Sequence, residues 1–189
     1  ANIIATNGAD NIQKFEEGVD SLFSDLVSDL KSKYLAVVRD FVVTGFTTEY
    51  DTAKTFDSNT ISSNEITIAG HGWSTGDTVI YDRNSNTALT NLTDGSTYYV
   101  IYVGTNTFKV ATTSANATAG TAITLTATGG SETHKFQKHT VNNQRCKWSG
   151  LNNSSQWTPS QTTQSGYQDI VGSHGNVQAI VGGESYGVI

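Results

Sequence analysis

A chain of 189 residues with 36% hydrophobic and 15% charged residues can bury a real core, which excludes a disordered polypeptide and leaves room for one or two domains. Its formal net charge of −6, pI near 5.0 and 11 scattered Lys and Arg exclude a basic footprint for gripping nucleic acid, so no tight DNA binding is expected. No apolar run approaches the roughly 18 residues of a membrane-crossing helix, so no membrane insertion is expected either.

Eighteen glycines with abundant Thr, Ser and Asn predict an all-β protein with little helix, because β-branched residues suit pleated surfaces while Gly and Asn supply reversals. Residues 1–15 read as a hairpin around the turn Asn7-Gly8-Ala9-Asp10. Residues 23–30 carry apolar side chains at helical spacing, Leu22, Phe23, Leu26, Val27 and Leu30, with Asp20 or Ser21 as a cap, which predicts one short helix. Residues 34–46 form the densest β-branched and aromatic run, interrupted by Arg39-Asp40, where a bulge or tight bend splits it into 34–38 and 41–44. The polar stretch 47–64 reads as a junction.

From there the composition changes to short strands between glycine-punctuated loops: 65–69, 78–81, 97–103, 107–111, 123–127 and 134–136, with reversals at 70–77, Asp94-Gly95 and 104–106. This series predicts a small β-sandwich or barrel. Residues 144–148 then resume the first body as a strand, followed by a polar loop over 149–163 and further strands at 168–171, 176–181 and 186–189. The expected organisation is a discontinuous body, 1–55 with 139–189, interrupted by an inserted module, 56–138, so that 34–46 and 144–148 become neighbours in one sheet. The absence of Met and the apolar, Gly-rich run 179–189 suggest a fragment of a longer chain.

No catalytic constellation emerges. His134 and His139 are an odd number of residues apart, which on a strand sends them to opposite faces, and His71 between two glycines reads as a turn residue, so no metal site is expected. Gly70-x-Gly72 lacks the remaining features of a dinucleotide site, and Ser74, Ser149 and Ser173 sit in no nucleophile elbow, so no cofactor is expected. Asp77, Asp82 and Asp94 lie in turns without the apolar surroundings that tune a carboxylate pair, and Asp40 beside Arg39 reads as a turn residue, so the chain is not read as an enzyme. Cys146 reads as a small buried hydrophobe, and with one cysteine no intrachain disulfide can form. Among the aromatics, Tyr98 and Tyr102 share one face of a predicted strand while Tyr99 and Ile101 share the other. One face must be core, and the second packs or stacks on a ligand. Trp73, Tyr98 and Tyr102 are therefore the candidate contacts for a glycan or a partner, and Trp148 and Trp157 are read as packing residues.

The segment Gly70-His-Gly-Trp-Ser-Thr-Gly-Asp-Thr-Val-Ile-Tyr81, with Leu92-Thr-Asp-Gly-Ser-Thr-Tyr-Tyr-Val-Ile101, Asn106-Thr-Phe-Lys-Val-Ala-Thr-Thr113 and Ala119-Gly-Thr-Ala-Ile-Thr-Leu-Thr126, resembles a β-module that recurs in bacteriophage tail-associated and other virion surface proteins. The flanks, Ala5-Thr-Asn-Gly-Ala-Asp10, residues 34–43 and Trp148-Ser-Gly-Leu-Asn-Asn-Ser-Ser-Gln-Trp-Thr-Pro159, resemble blades of the β-propeller tail-hub or nozzle proteins of short-tailed bacteriophages. The resemblance implies partial propeller-like blades and a structural role in the virion: a homo-oligomeric ring beneath the portal, in contact with portal, adaptor or other tail proteins, with the inserted module projecting outward. It carries no catalytic residue. An acidic surface suits a channel wall past which DNA slides. The competing expectation, from a different class, is a receptor-binding or adhesin module that recognises host surface glycans through Trp73 or the strand from Tyr98 to Tyr102.

Overall fold

A computed structural model describes residues 2–172, 175–185 and 187–189. Ala1, Ser173 and the Tyr186 start of a predicted strand lie outside them. Strand accounts for 43% of the chain and helix for 4%, so the protein is all-β with little helix, and its sheets are antiparallel. The strands run β1 (Asn2–Ala5), β2 (Gln13–Glu16), β3 (Ser24–Asp25), β4 (Leu30–Val38), β5 (Phe41–Tyr50), β6 (Lys54–Asp57), β7 (Ile66–Thr67), β8 (Thr78–Asp82), β9 (Thr97–Gly104) and β10 (Thr107–Ala111). A one-turn helix α1 (Ser114–Thr118) precedes β11 (Thr133–Trp148) and β12 (Gly166–Asp169). The chain divides into two compact units, Ala1–Glu49 with Thr140–Ile189, and Tyr50–His139.

In the first unit β1, β2 and β3 form a three-stranded antiparallel sheet in which Asn2 faces Glu16 and Ala5 faces Gln13. The β1–β2 reversal is held by the Asn7 side chain, which accepts from the amides of Ala9 and Asp10. The helix expected over 23–30 is absent. That segment instead supplies β3 and the approach to β4, because its apolar side chains serve two environments: Leu26 and Val27 pack on the core while Leu22 and Phe23 face solvent. The Asp25 carboxylate accepts from Asn11 and Gln13, which ties β3 to β2.

The remaining strands of this unit belong to a nine-stranded sheet and form a meander within it. β4 turns into β5 through Arg39, whose φ of 52° makes the tight reversal that the charged pair predicted. β5 lies beside β11, with the Ser149 amide donating to the Val42 carbonyl at 2.9 Å and the Thr44 hydroxyl to the Lys147 carbonyl at 3.2 Å. β12 pairs with residues 145–148 of β11. The order β4–β5–β11–β12 is therefore also the order along the chain. Ile12, Leu30, Val42 and Trp157 form the buried cluster, with Ile4 and Leu35 against it. Gly45 has no side chain because Val177 and Ile180 stand where one would go, within 2.8 Å of a built Cβ. Residues 176–180 make no strand, and Val181 forms only an isolated bridge with Val188.

The strands of the second unit continue the nine-stranded sheet in the order β6–β11–β8–β9–β10–β7, using residues 133–139 of β11. Each strand sends a large side chain into one core: Phe56, Phe136, Tyr81, Tyr98, Phe108 and Ile66 in that order. The sheet does not close, which corrects the barrel expectation. The strand expected at 123–127 is also absent: its backbone bonds β10 once, Ile123 to Val110, and Leu125 then donates to the Asn64 side chain as the segment crosses the core. The second face of β9 is covered as well, since Ile101 packs with Ala111 and with Ala117 of α1, whose first turn is capped by the Thr113 hydroxyl.

Candidate functional site

The aromatic candidates lie around the glycine-rich loop before β8. Gly70 and Gly72 adopt φ of 56° and 70°, which lets the chain turn His71 inward between them. The His71 Nδ1 accepts from the Trp73 amide at 3.0 Å, so its Nε2 carries the proton and donates to the Gly104 carbonyl at 2.8 Å. This fully bonded imidazole anchors the loop to the β9–β10 turn, the structural role expected of it. Trp73 stands edge-on to Phe108, ring centres 5.0 Å apart, and is only 3% exposed. Tyr98 is 6% exposed, and its hydroxyl accepts from the Thr93 amide at 2.7 Å. Both belong to the core, where neither offers a ring face to a sugar. Tyr102 shares the Tyr98 side of β9 but lies past the end of the core, 48% exposed, next in sequence to the half-exposed Val103. Of the three candidate contacts, Tyr102 is the one that presents a ring to solvent.

A buried polar chain crosses the same unit. The Tyr81 hydroxyl accepts from the Leu89 amide at 2.9 Å and shares a second hydrogen bond with the His134 Nδ1 at 2.7 Å, which pins the loop over 83–92 to the sheet. The His134 Nε2 makes no hydrogen bond and faces the Glu132 carboxylate at 3.7 Å. Burial raises the Tyr81 phenol, and the Leu89 amide opposes that. Among the described residues no three His, Cys, Asp or Glu side chains gather as metal ligands do.

The first unit holds a charged cluster that sequence reasoning missed. Arg145 stands opposite Asp169 in the β11–β12 register and grips its carboxylate with two bonds, Nε at 2.7 Å and Nη2 at 2.9 Å. Its third nitrogen donates to Glu49 of β5 at 3.0 Å, and its guanidinium lies 3.9 Å over the Tyr167 ring. Glu49 also takes bonds from Lys147, Asn142 and Thr47. Burial works to raise the Glu49 carboxyl, but the bonds from Lys147 and Arg145 together outweigh it and hold it below the usual range. The Asp169 carboxyl is lowered by its bonds from Arg145, and the Arg145 guanidinium is raised chiefly by the same pairing. Two cations and two anions balance, and the cluster rivets three strands together. The only trace of it in sequence is Arg145 and Lys147 two apart on one strand face. Cys146 points to the other side, buried, its thiol raised by burial.

No described protein family, characterised protein or solved structure matches the chain.

Proposed function

We propose that this chain is a structural, non-enzymatic component of a bacteriophage tail, of the hub or nozzle type, in which copies assemble into a ring around the DNA path. The observation that carries the reading is the meander β4–β5–β11–β12: four antiparallel strands joined in chain order are the strand plan of one propeller blade. The division of contacts at 49/50 and 139/140 supports reading residues 56–138 as a module inserted into a body made of 1–55 and 139–189. The first unit also carries most of the large exposed apolar side chains, including Ile3, Leu22, Phe23, Val37, Val141 and Val171, as a part built to be covered by neighbours would. The net charge of −6 suits a wall that DNA passes without adhering. Partners on this reading are further copies and portal, adaptor or other tail proteins, and the location is the virion. Electron microscopy of the purified protein tests it: rotationally symmetric rings with a central opening are expected, and particles with no such symmetry at any concentration would reject the ring.

The half-exposed Tyr102 favours a second reading, a module that stacks on host surface glycans. Glycan-array binding that disappears in Tyr102→Ala would select it over the first.

A further inference from the structure

The loop between β2 and β3 exposes three large apolar side chains, Val19, Leu22 and Phe23. It is a built knob: the Glu16 carbonyl accepts from the amides of both Val19 and Asp20, the Asp20 carboxylate accepts from the Glu16 amide at 2.9 Å, and Gly18 takes φ of 82° at the bend. On this fixed turn Val19 is 72% and Leu22 78% exposed, and Phe23 lies beside Phe15 with ring centres 5.4 Å apart. Glu16, Glu17, Asp20 and Asp25 belong to this stretch, against Lys14 facing Ser24 across β2 and β3. The knob is thus apolar, on a stretch of chain that is net acidic.

A matching cavity of about 440 Å³ lies at the other end of the β1–β2 hairpin. Ile4, Leu35, Ala179 and Ile180 supply apolar wall, and Lys33 is the one charged residue among its described lining. The Lys33 ammonium is placed by cation–π contact, 3.7 Å from the centre of the Phe46 ring. In the β1–β2 register Asn2 faces Glu16 next to the knob, while Ile4 and Ala5 lie toward the cavity, so the two features face opposite ways along one hairpin.

We propose that the knob of one copy, Val19 with Leu22 and Phe23, docks into the Lys33 cavity of the next copy. The contact rests on the oligomeric reading above and supplies its interface. Charge selects the occupant: an acidic, apolar knob is repelled by nucleic acid and is complementary to a lysine-bearing apolar cavity, which this same chain carries. Because donor and acceptor surfaces differ, the contact is heterologous and propagates head to tail, closing into a ring or continuing as a filament according to the rotation per copy. Three side chains bury less than the roughly 800 Å² per partner of a stable interface, so a single contact is weak and the assembly depends on many made together.

The test uses the full chain with single cysteines on the two surfaces and a short bis-maleimide, the native Cys146 being buried. A Leu22→Cys chain mixed with an Ala179→Cys chain is expected to give a covalent dimer holding one of each. Its yield should exceed by roughly tenfold that of a control pair in which Thr112→Cys, exposed in the second unit, replaces Ala179→Cys. Adding Lys33→Glu to the Ala179→Cys chain sets like charges against each other and should cut the yield by roughly tenfold, while a cooperative melt shows that the chain still folds after losing its Phe46 contact. Yields equal to the control, or unaffected by Lys33→Glu, overturn the contact. Rings in the microscope without this crosslink would leave the ring reading and reject the knob; crosslinked filaments without rings would do the reverse.

Discussion

Replacing Arg145 by Met removes the rivet while keeping an unbranched side chain of similar reach. Breaking a fully buried pair costs about 3–5 kcal/mol. Arg145 is largely buried, but Asp169 is 43% exposed and regains water once released, and Glu49 keeps Lys147 as a partner. The expected loss is therefore smaller, about 1.5–3 kcal/mol, between the values for exposed and buried pairs. The same groups set a pH dependence. The carboxyls of Glu49 and Asp169 are lowered in the folded protein, so between their folded values and the unfolded range near 4 the unfolded chain binds more protons, and stability rises with pH. The contribution is fully present above the unfolded values and is lost as pH falls through the folded ones. Arg145→Met should flatten that acid limb. Hydrogen exchange read by mass spectrometry on peptides from 140–169, across pH 3 to 6 with correction for intrinsic rates, isolates the first unit from the second. An opening energy within about 0.5 kcal/mol of the parent, or an unchanged acid slope, would refute the view that this cluster holds β5, β11 and β12 together.

Three further substitutions probe other parts of the fold. Phe136→Ala empties the centre of the second core, where Phe56, Tyr81 and Phe108 surround the ring at centre distances of 5.4 to 5.8 Å; a loss of about 3–5 kcal/mol is expected by denaturant unfolding. Tyr81→Phe removes the hydroxyl shared by the His134 Nδ1 and the Leu89 amide, stranding two buried polar groups at a cost of about 1–3 kcal/mol, with the Leu89 amide becoming the measurable fast exchanger. Gly166→Val intrudes on Trp148, whose ring lies 2.8 Å from a built Cβ; a loss of about 1–3 kcal/mol and a shift in tryptophan emission should accompany displacement of its bond to the Gln164 carbonyl.

Local chemistry made much of the fold legible. The Asn7-Gly8 reversal, the break at Arg39-Asp40 and the strands now called β8, β9 and β10 follow from turn residues and alternation that act within a few positions. Length was harder to read: 134–136 and 144–148 look like separate strands because the residues between them, Gln137 to Asn143, are polar except for Val141, yet β11 runs unbroken through all of them. The helical spacing over 22–30 misled because periodicity reports which residues are apolar, not whether one surface receives them. The Arg145 cluster joins residues up to 98 positions apart, and no local pattern announces a register of that range. For Tyr98 and Tyr102, alternation assigns a shared side of one strand but not where the core ends, which is what separates the exposed Tyr102 from the buried Tyr98.

The interleaving of the meander has a consequence during synthesis. β4 and β5 leave the ribosome as a hairpin, but the strand that covers β5 cannot follow until the ninety residues 50–139 have been made. At about 5–20 residues per second that is roughly 5–20 s in which the Val42–Thr44 edge has no partner of its own. The second core closes no sooner, because Phe136 and the pairing of β6 and β8 both wait for residues 133–139 of β11, the last part of this segment to be made. Expression at low temperature, where translation slows, would lengthen the exposure, and the yield of soluble protein is then governed by how long one hairpin waits for its other half.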